Sequence, residues 1–134
     1  MKRKFWDNLS NWKEKNIEVP LMVVGARQVG KTYIINKFCT ENFEDYIYIN
    51  LKEEPDIISF FEEKISTVEK VRKLELKLNR SIKEDTVIFF DEIQESEELI
   101  SSLKYFCESE FPYKIVCAGS LLGVKLKRFK SSFQ

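Results

Sequence analysis

Apolar and polar positions alternate along this chain in two distinct rhythms. Phe5, Leu9 and Trp12 recur at helical spacing among polar residues, which predicts an amphipathic helix from about Lys2 to Lys15, docked on the body of the domain. A role for Trp6 and Trp12 in binding a partner is the alternative to docking. Pro20 stops that helix, and Leu21-Met22-Val23-Val24 reads as a short strand. Its run is continuous rather than alternating, as a strand covered on both faces requires. Thr32 to Thr40 carries Ile34, Ile35 and Phe38 and predicts a helix, followed by a strand at Tyr46 to Leu51. Pro55 suits a first helical turn, with Ile57, Ile58, Phe60, Phe61 and Ile65 behind it. Val68, Val71, Leu74 and Leu78 form the stripe of a further helix. Val87-Ile88-Phe89-Phe90 is a second buried-type strand, Leu99, Ile100, Leu103 and Phe106 mark another helix, and Lys114 to Ala118 makes a fourth strand. Strands alternating with helices predict an α/β fold, a three-layer sandwich with a mostly parallel sheet and right-handed crossovers.

The 134 residues fit one domain, with no repeats, low-complexity segments or linker. Lys plus Arg and Asp plus Glu both number 22, so charge gives no reason to expect nucleic acid or an anionic membrane as a partner. The charge is nonetheless clustered: Met1 to Lys4 and Lys125 to Lys130 are basic, Asp91 to Glu98 is acidic, and the runs read as solvated faces, with partner contacts as the alternative. Histidine is absent, which excludes Ser-His-Asp hydrolases, Cys-His proteases and His-ligated zinc enzymes. Cys39, Cys107 and Cys117 lack CxxC spacing and sit among apolar neighbours, which predicts reduced core thiols. No apolar run approaches the roughly 20 residues of a membrane span, and the start is too polar for a signal peptide. The expectation is a soluble cytoplasmic protein.

Chemistry enters at Gly25-Ala26-Arg27-Gln28-Val29-Gly30-Lys31-Thr32, a complete Walker A signature between an apolar strand and a helix. Glycines at 25 and 30 let the backbone turn tightly and bring its N–H groups onto phosphate oxygens, in the field of the following helix. Lys31 is the point charge for the β- and γ-phosphates, and Thr32 offers its hydroxyl to Mg²⁺. The expected nucleotide-binding set runs through Gly25, Ala26, Arg27, Gln28, Val29, Gly30, Lys31, Thr32 and Tyr33.

The acidic half follows the third strand. Asp91 would stand at the carboxyl edge of the sheet, beside the phosphate loop, and suits a water-mediated contact to Mg²⁺. Glu92 is the candidate base that polarises the attacking water. Ala118-Gly119-Ser120 ends the fourth strand, where Ser120 could sense the γ-phosphate; Gly-Ser is also an ordinary turn. Gln94 is a second polar candidate.

Together, Gly25 to Thr32, Phe89-Phe90-Asp91-Glu92-Ile93-Gln94, Leu103-Lys104-Tyr105-Phe106 and Ala118-Gly119-Ser120-Leu121-Leu122-Gly123 resemble the AAA-type ATPase domain of a widespread prokaryotic ATP-binding protein family. The resemblance implies a P-loop NTPase fold with strand order 1-4-3-2, an extra strand between the Walker A and Walker B strands, Ser120 at the sensor position, and ATP rather than GTP as nucleotide. No guanine-reading Asn-Lys-x-Asp is present. Members of that family continue with a fifth strand, a small helical or winged-helix region and a nuclease-like domain. The chain is therefore expected to be truncated at its C-terminal end, its first strand left as an open edge that invites self-association. Neither Arg27 nor Arg128 has a motif that makes it an arginine finger. The leading expectation is ATP binding with Mg²⁺-dependent hydrolysis in the complete protein. A nucleotide-gated module that engages a protein partner without turnover is the non-catalytic alternative. A P-loop kinase is the third, and the Asp-Glu pair argues against it.

Overall fold

The computed structural model describes residues 2–15, 17, 19–25, 30–108 and 114–120. In chain order these form α1 (Lys2–Lys15), β1 (Leu21–Gly25), α2 (Lys31–Asn42), β2 (Asp45–Asn50), α3 (Pro55–Glu62), α4 (Thr67–Leu78), β3 (Thr86–Asp91), a 3₁₀ turn (Ile93–Glu95), α5 (Glu97–Glu108) and β4 (Lys114–Ser120). The strands make one parallel sheet in the order β1-β4-β3-β2, as expected. β3 sits inside the sheet and is buried along its whole length, which is why its sequence is apolar without alternation.

Helices cover both faces. On one, α1 and α2 bring Leu9, Trp12, Ile35, Phe38 and Cys39 onto Val87, Phe89, Val116 and Ala118. On the other, Ile57, Phe61, Val71, Leu74, Leu99 and Leu103 pack on Ile47, Ile49, Ile88, Phe90, Ile115 and Cys117. The period-two alternation of each strand sends one set of side chains to each core.

The docking of α1 follows from its stripe. Leu9 is fully buried, Trp12 is buried with its indole Nε1 donating to the Val19 carbonyl at 2.6 Å, and the Trp6 ring meets Phe38 edge-on at 5.1 Å. These contacts answer for both tryptophans through packing. Pro55 occupies the first turn of α3, and the Ser66 hydroxyl caps α4 by accepting the Glu69 N–H at 3.2 Å. Ile65 falls in the connection between α3 and α4, outside the helix expected to carry it. The α4 stripe is narrower than its spacing predicts: Val71 and Leu74 are buried, whereas Val68, in the first turn of the helix, is 55% exposed.

At the amino ends of β2 and β3, the Asp45 carboxylate accepts from the Arg80 guanidinium and the Thr86 hydroxyl. The hydrogen bond from Arg80, then that from Thr86, hold this carboxyl below its usual range against the opposing effect of burial. A depressed carboxyl stabilises the fold above its unfolded pKa of about 4, and that stabilisation is lost as pH falls through the lower folded value. Asp45→Asn is therefore expected to lower stability at pH 7 and to differ less and less from the parent as pH falls below about 4, as read by urea unfolding across that range.

Burial pushes the Cys39 thiol up to about 12 and raises Cys117 as well, so both are inert core groups; the Cys107 side chain lies outside the described residues. Among the described residues, no helix is long and apolar enough to cross a membrane. The expected absence of a fifth strand concerns chain beyond Ser120, also outside the described residues, as does the basic run at 125–130.

Candidate functional site

The carboxyl ends of β1, β3 and β4 lie together because parallel pairing brings Gly25 beside Ser120 and carries β3 alongside β4. α2 starts from the same edge. Gly30 precedes its first residue with φ 99°, a left-handed conformation. Among the described residues a Cβ at Gly30 would meet nothing within 4 Å, so conformation is what demands glycine there. No acidic residue occupies the first turn of α2, leaving its positive end uncompensated from within the helix.

Lys31 reaches across this edge, its Nζ donating to the Gly119 carbonyl of β4 at 2.9 Å. The ammonium therefore rests on a neutral acceptor, which an anion can replace. Thr32 donates from Oγ1 to Asp91 Oδ2 at 2.8 Å, joining residues 59 positions apart in sequence. Tyr33 is 63% exposed and points away from the core.

Asp91 closes β3 and is 6% exposed. Three donors hold it: Thr32 and Tyr48 hydroxyls on Oδ2, the latter at 2.7 Å, and the Glu92 N–H on Oδ1 at 2.9 Å. The acidic run at 91–98 is thus not one solvated face: Glu95, Glu97 and Glu98 are exposed, but Asp91 is drawn inside by its donors. Tyr48 also escaped the sequence reading. The alternation Tyr46-Ile47-Tyr48-Ile49 could have flagged it, since it puts two tyrosines on the face that α2 covers.

Glu92 adopts φ 58° and ψ 47°, the left-handed region, at a cost of about 1–2 kcal/mol for a residue with a Cβ. The kink aims its N–H at Asp91 and starts the 3₁₀ turn, whose Ile93 is fully buried. The Glu92 carboxylate in turn accepts from the Gln94 amide at 2.7 Å. Gly119 lies under this turn: a Cβ there would come within 2.7 Å of Gln94 Oε1 and 2.8 Å of Ile93 Cγ2. Gly119-Ser120 is accordingly not a loop turn but the end of β4, paired with β1 through its last residue. Glycine serves close packing at 119 rather than chain reversal. The Ser120 side chain, and Ala26, Arg27, Gln28, Val29 and Arg128 altogether, lie outside the described residues.

The structure therefore brings Lys31, Thr32, Asp91, Glu92 and the backbone of Gly119 to one edge. A family model described as an AAA domain matches residues 18–134. The chain belongs to that family. No curated protein matches it. Among solved structures, it is similar to PCH-2 of C. elegans, with 13% identity and TM-score 0.47, covering 96% of this chain and 37% of that one. It is also similar to a Rhizobiales Trip13, with 19% identity and TM-score 0.45, covering 95% of this chain and 56% of that one. The chain thus spans well under two thirds of either protein.

Membership of the AAA family brings nucleotide binding with it. Whether this AAA domain suits Mg²⁺ can be asked of its donors. Thr32 and Asp91 offer only oxygen, the choice of a hard cation, and their contact at 2.8 Å puts a hydroxyl and a carboxylate at one point. Among the described residues no group of three or more acidic, Cys or His side chains gathers around a point. Magnesium does not need one, since it commonly takes one or two protein oxygens beside water and phosphate. The residues fit.

Proposed function

We propose that this AAA domain binds ATP with Mg²⁺ at the carboxyl edge of its sheet and, within the complete protein, hydrolyses it. The hydrogen bond between Thr32 and Asp91 carries this reading, because it unites the two halves of a nucleotide site that the sequence keeps 59 residues apart. In this reading Gly25 to Tyr33 cradle the phosphates, with Lys31 leaving the Gly119 carbonyl for the β- and γ-phosphates. Thr32 and Asp91 hold the metal, which when bound neutralises charge on the phosphates. Glu92 orients and deprotonates the attacking water, and Ser120 touches the γ-phosphate from the end of β4. Calorimetric titration with ATP and GTP in the presence of Mg²⁺ tests it. Binding is expected for the parent chain, and Lys31→Ala is expected to weaken it about 10- to 100-fold, the worth of a charge-assisted contact. Equal affinity in the two chains would remove Lys31 from the site.

The Gln94 amide on the Glu92 carboxylate favours a second reading, in which nucleotide binds without turnover until a partner frees Glu92. Phosphate release with and without added protein partners separates the two.

A further inference from the structure

Asp91 offers about four acceptor positions on its two carboxylate oxygens. Thr32 and Tyr48 take both of those on Oδ2, at 2.8 and 2.7 Å, and the Glu92 N–H takes one on Oδ1. The capacity that remains is therefore on Oδ1. The donor that completes this arrangement comes from β2, an element outside both motifs. Parallel register sets Tyr48 opposite Phe89, and the two-residue period puts it on the same face as Asp91, within diagonal reach. The Tyr48 ring meets Phe89 edge-on at 5.2 Å.

We propose that Tyr48 is a positioning residue for the metal: its hydroxyl fills the last acceptor position of Asp91 Oδ2, fixes the rotation of the carboxylate, and keeps Oδ1 available for a magnesium-bound water. The proposal rests on the magnesium–nucleotide reading above. Packing alone does not account for the hydroxyl, since a phenylalanine would present the same ring edge to Phe89. Tyr48 is 38% exposed as a residue, yet its hydroxyl donates inward to a buried carboxylate. Without that hydroxyl, the Asp91 carboxylate is held by the Thr32 and Glu92 contacts alone, and when these break it turns about its Cβ–Cγ bond with one fewer hydrogen bond to oppose it, so that either oxygen could face the metal's water.

Tyr48→Phe isolates the hydroxyl while keeping the ring. The measurement is ATP affinity as a function of Mg²⁺ concentration, by calorimetry or a fluorescent ATP analogue, in the parent and in Tyr48→Phe, with a matched series in EDTA. The Mg²⁺ concentration at half effect is expected to rise roughly tenfold in the variant, the usual scale for losing a hydrogen bond to a metal-site ligand. Excess Mg²⁺ is expected to restore parental affinity, and affinity in EDTA to be unchanged. An identical Mg²⁺ requirement in the two chains would overturn the role of Tyr48 while leaving the magnesium–nucleotide reading intact. A proportional loss of affinity with and without Mg²⁺, not restored by excess metal, would mark the hydroxyl as merely structural and overturn it equally. If the parent chain binds ATP with no response to Mg²⁺, the metal reading itself fails and the role of Tyr48 falls with it.

Discussion

Glu92→Gln is expected to lower phosphate release about 10²- to 10⁴-fold, the usual contribution of a positioned general base, while Mg²⁺–ATP affinity stays within about twofold. The substitution changes little except the basicity of one side chain. Glutamine has nearly the same shape, keeps an oxygen able to accept the Gln94 amide, and leaves the Glu92 N–H on Asp91 Oδ1 untouched. The left-handed backbone at this position costs glutamine about what it costs glutamate. A selective loss of turnover would therefore report chemistry rather than misfolding. Single-turnover phosphate release beside equilibrium ATP titration supplies both readouts. A rate unchanged in Glu92→Gln would transfer the base function elsewhere on the edge.

Phe38→Ala is expected to destabilise the domain by about 3–5 kcal/mol, the range for removing a buried aromatic ring and leaving a cavity. At roughly 3–5 °C per kcal/mol for a chain of this size, the thermal midpoint should fall by about 9–25 °C. Phe38 is fully buried where three elements meet. Its ring touches Trp6 of α1 edge-on at 5.1 Å and approaches Phe43, after α2, at 6.3 Å, while its neighbours include Val87 and Phe89 of β3. Phe43 also packs against Trp12 at 6.2 Å, so following the missing ring inward would disturb that contact. Thermal unfolding followed by circular dichroism tests this, and a shift below about 5 °C would mean that α1 re-docks on the truncated site.

Much of this arrangement is legible from residue order, and the reason is chemical. A phosphate-binding turn needs glycine at fixed places, a lysine and a hydroxyl in consecutive positions, and a strand before it, so Gly25 to Thr32 announces itself within eight residues. β3 announces itself too, since a strand covered on both faces cannot hide its apolar run. What the sequence conceals depends on pairing. Tyr48 reaches Asp91 only because β2 lies beside β3 in one register, and a shift of one residue would send its ring to the opposite face. The need for glycine at 119 is equally nonlocal, set by the fully buried Ile93 across from it. Charge runs mislead for a similar reason. Asp91 and Glu98 read alike in sequence, but only Asp91 has hydroxyl donors from two other elements drawing it inward. Val68 fits a helical stripe and stays exposed, so periodicity alone does not decide burial.

The sheet order has a consequence for how the protein is made. β1 finds its only described neighbour in β4, where Leu21 pairs with Val116, 95 positions later (116 minus 21). On a ribosome adding about 5–20 residues each second, the apolar strand Leu21–Gly25 waits about 5–20 seconds for that neighbour to be synthesised. During this interval Lys31 has no Gly119 carbonyl to rest on. Nucleotide recognition is thus a late event in the life of each nascent chain. Synthesis makes β2 and β3 available to each other before β4 exists, so β1 and Lys31 can meet their described partners only once Lys114–Ser120 has been made.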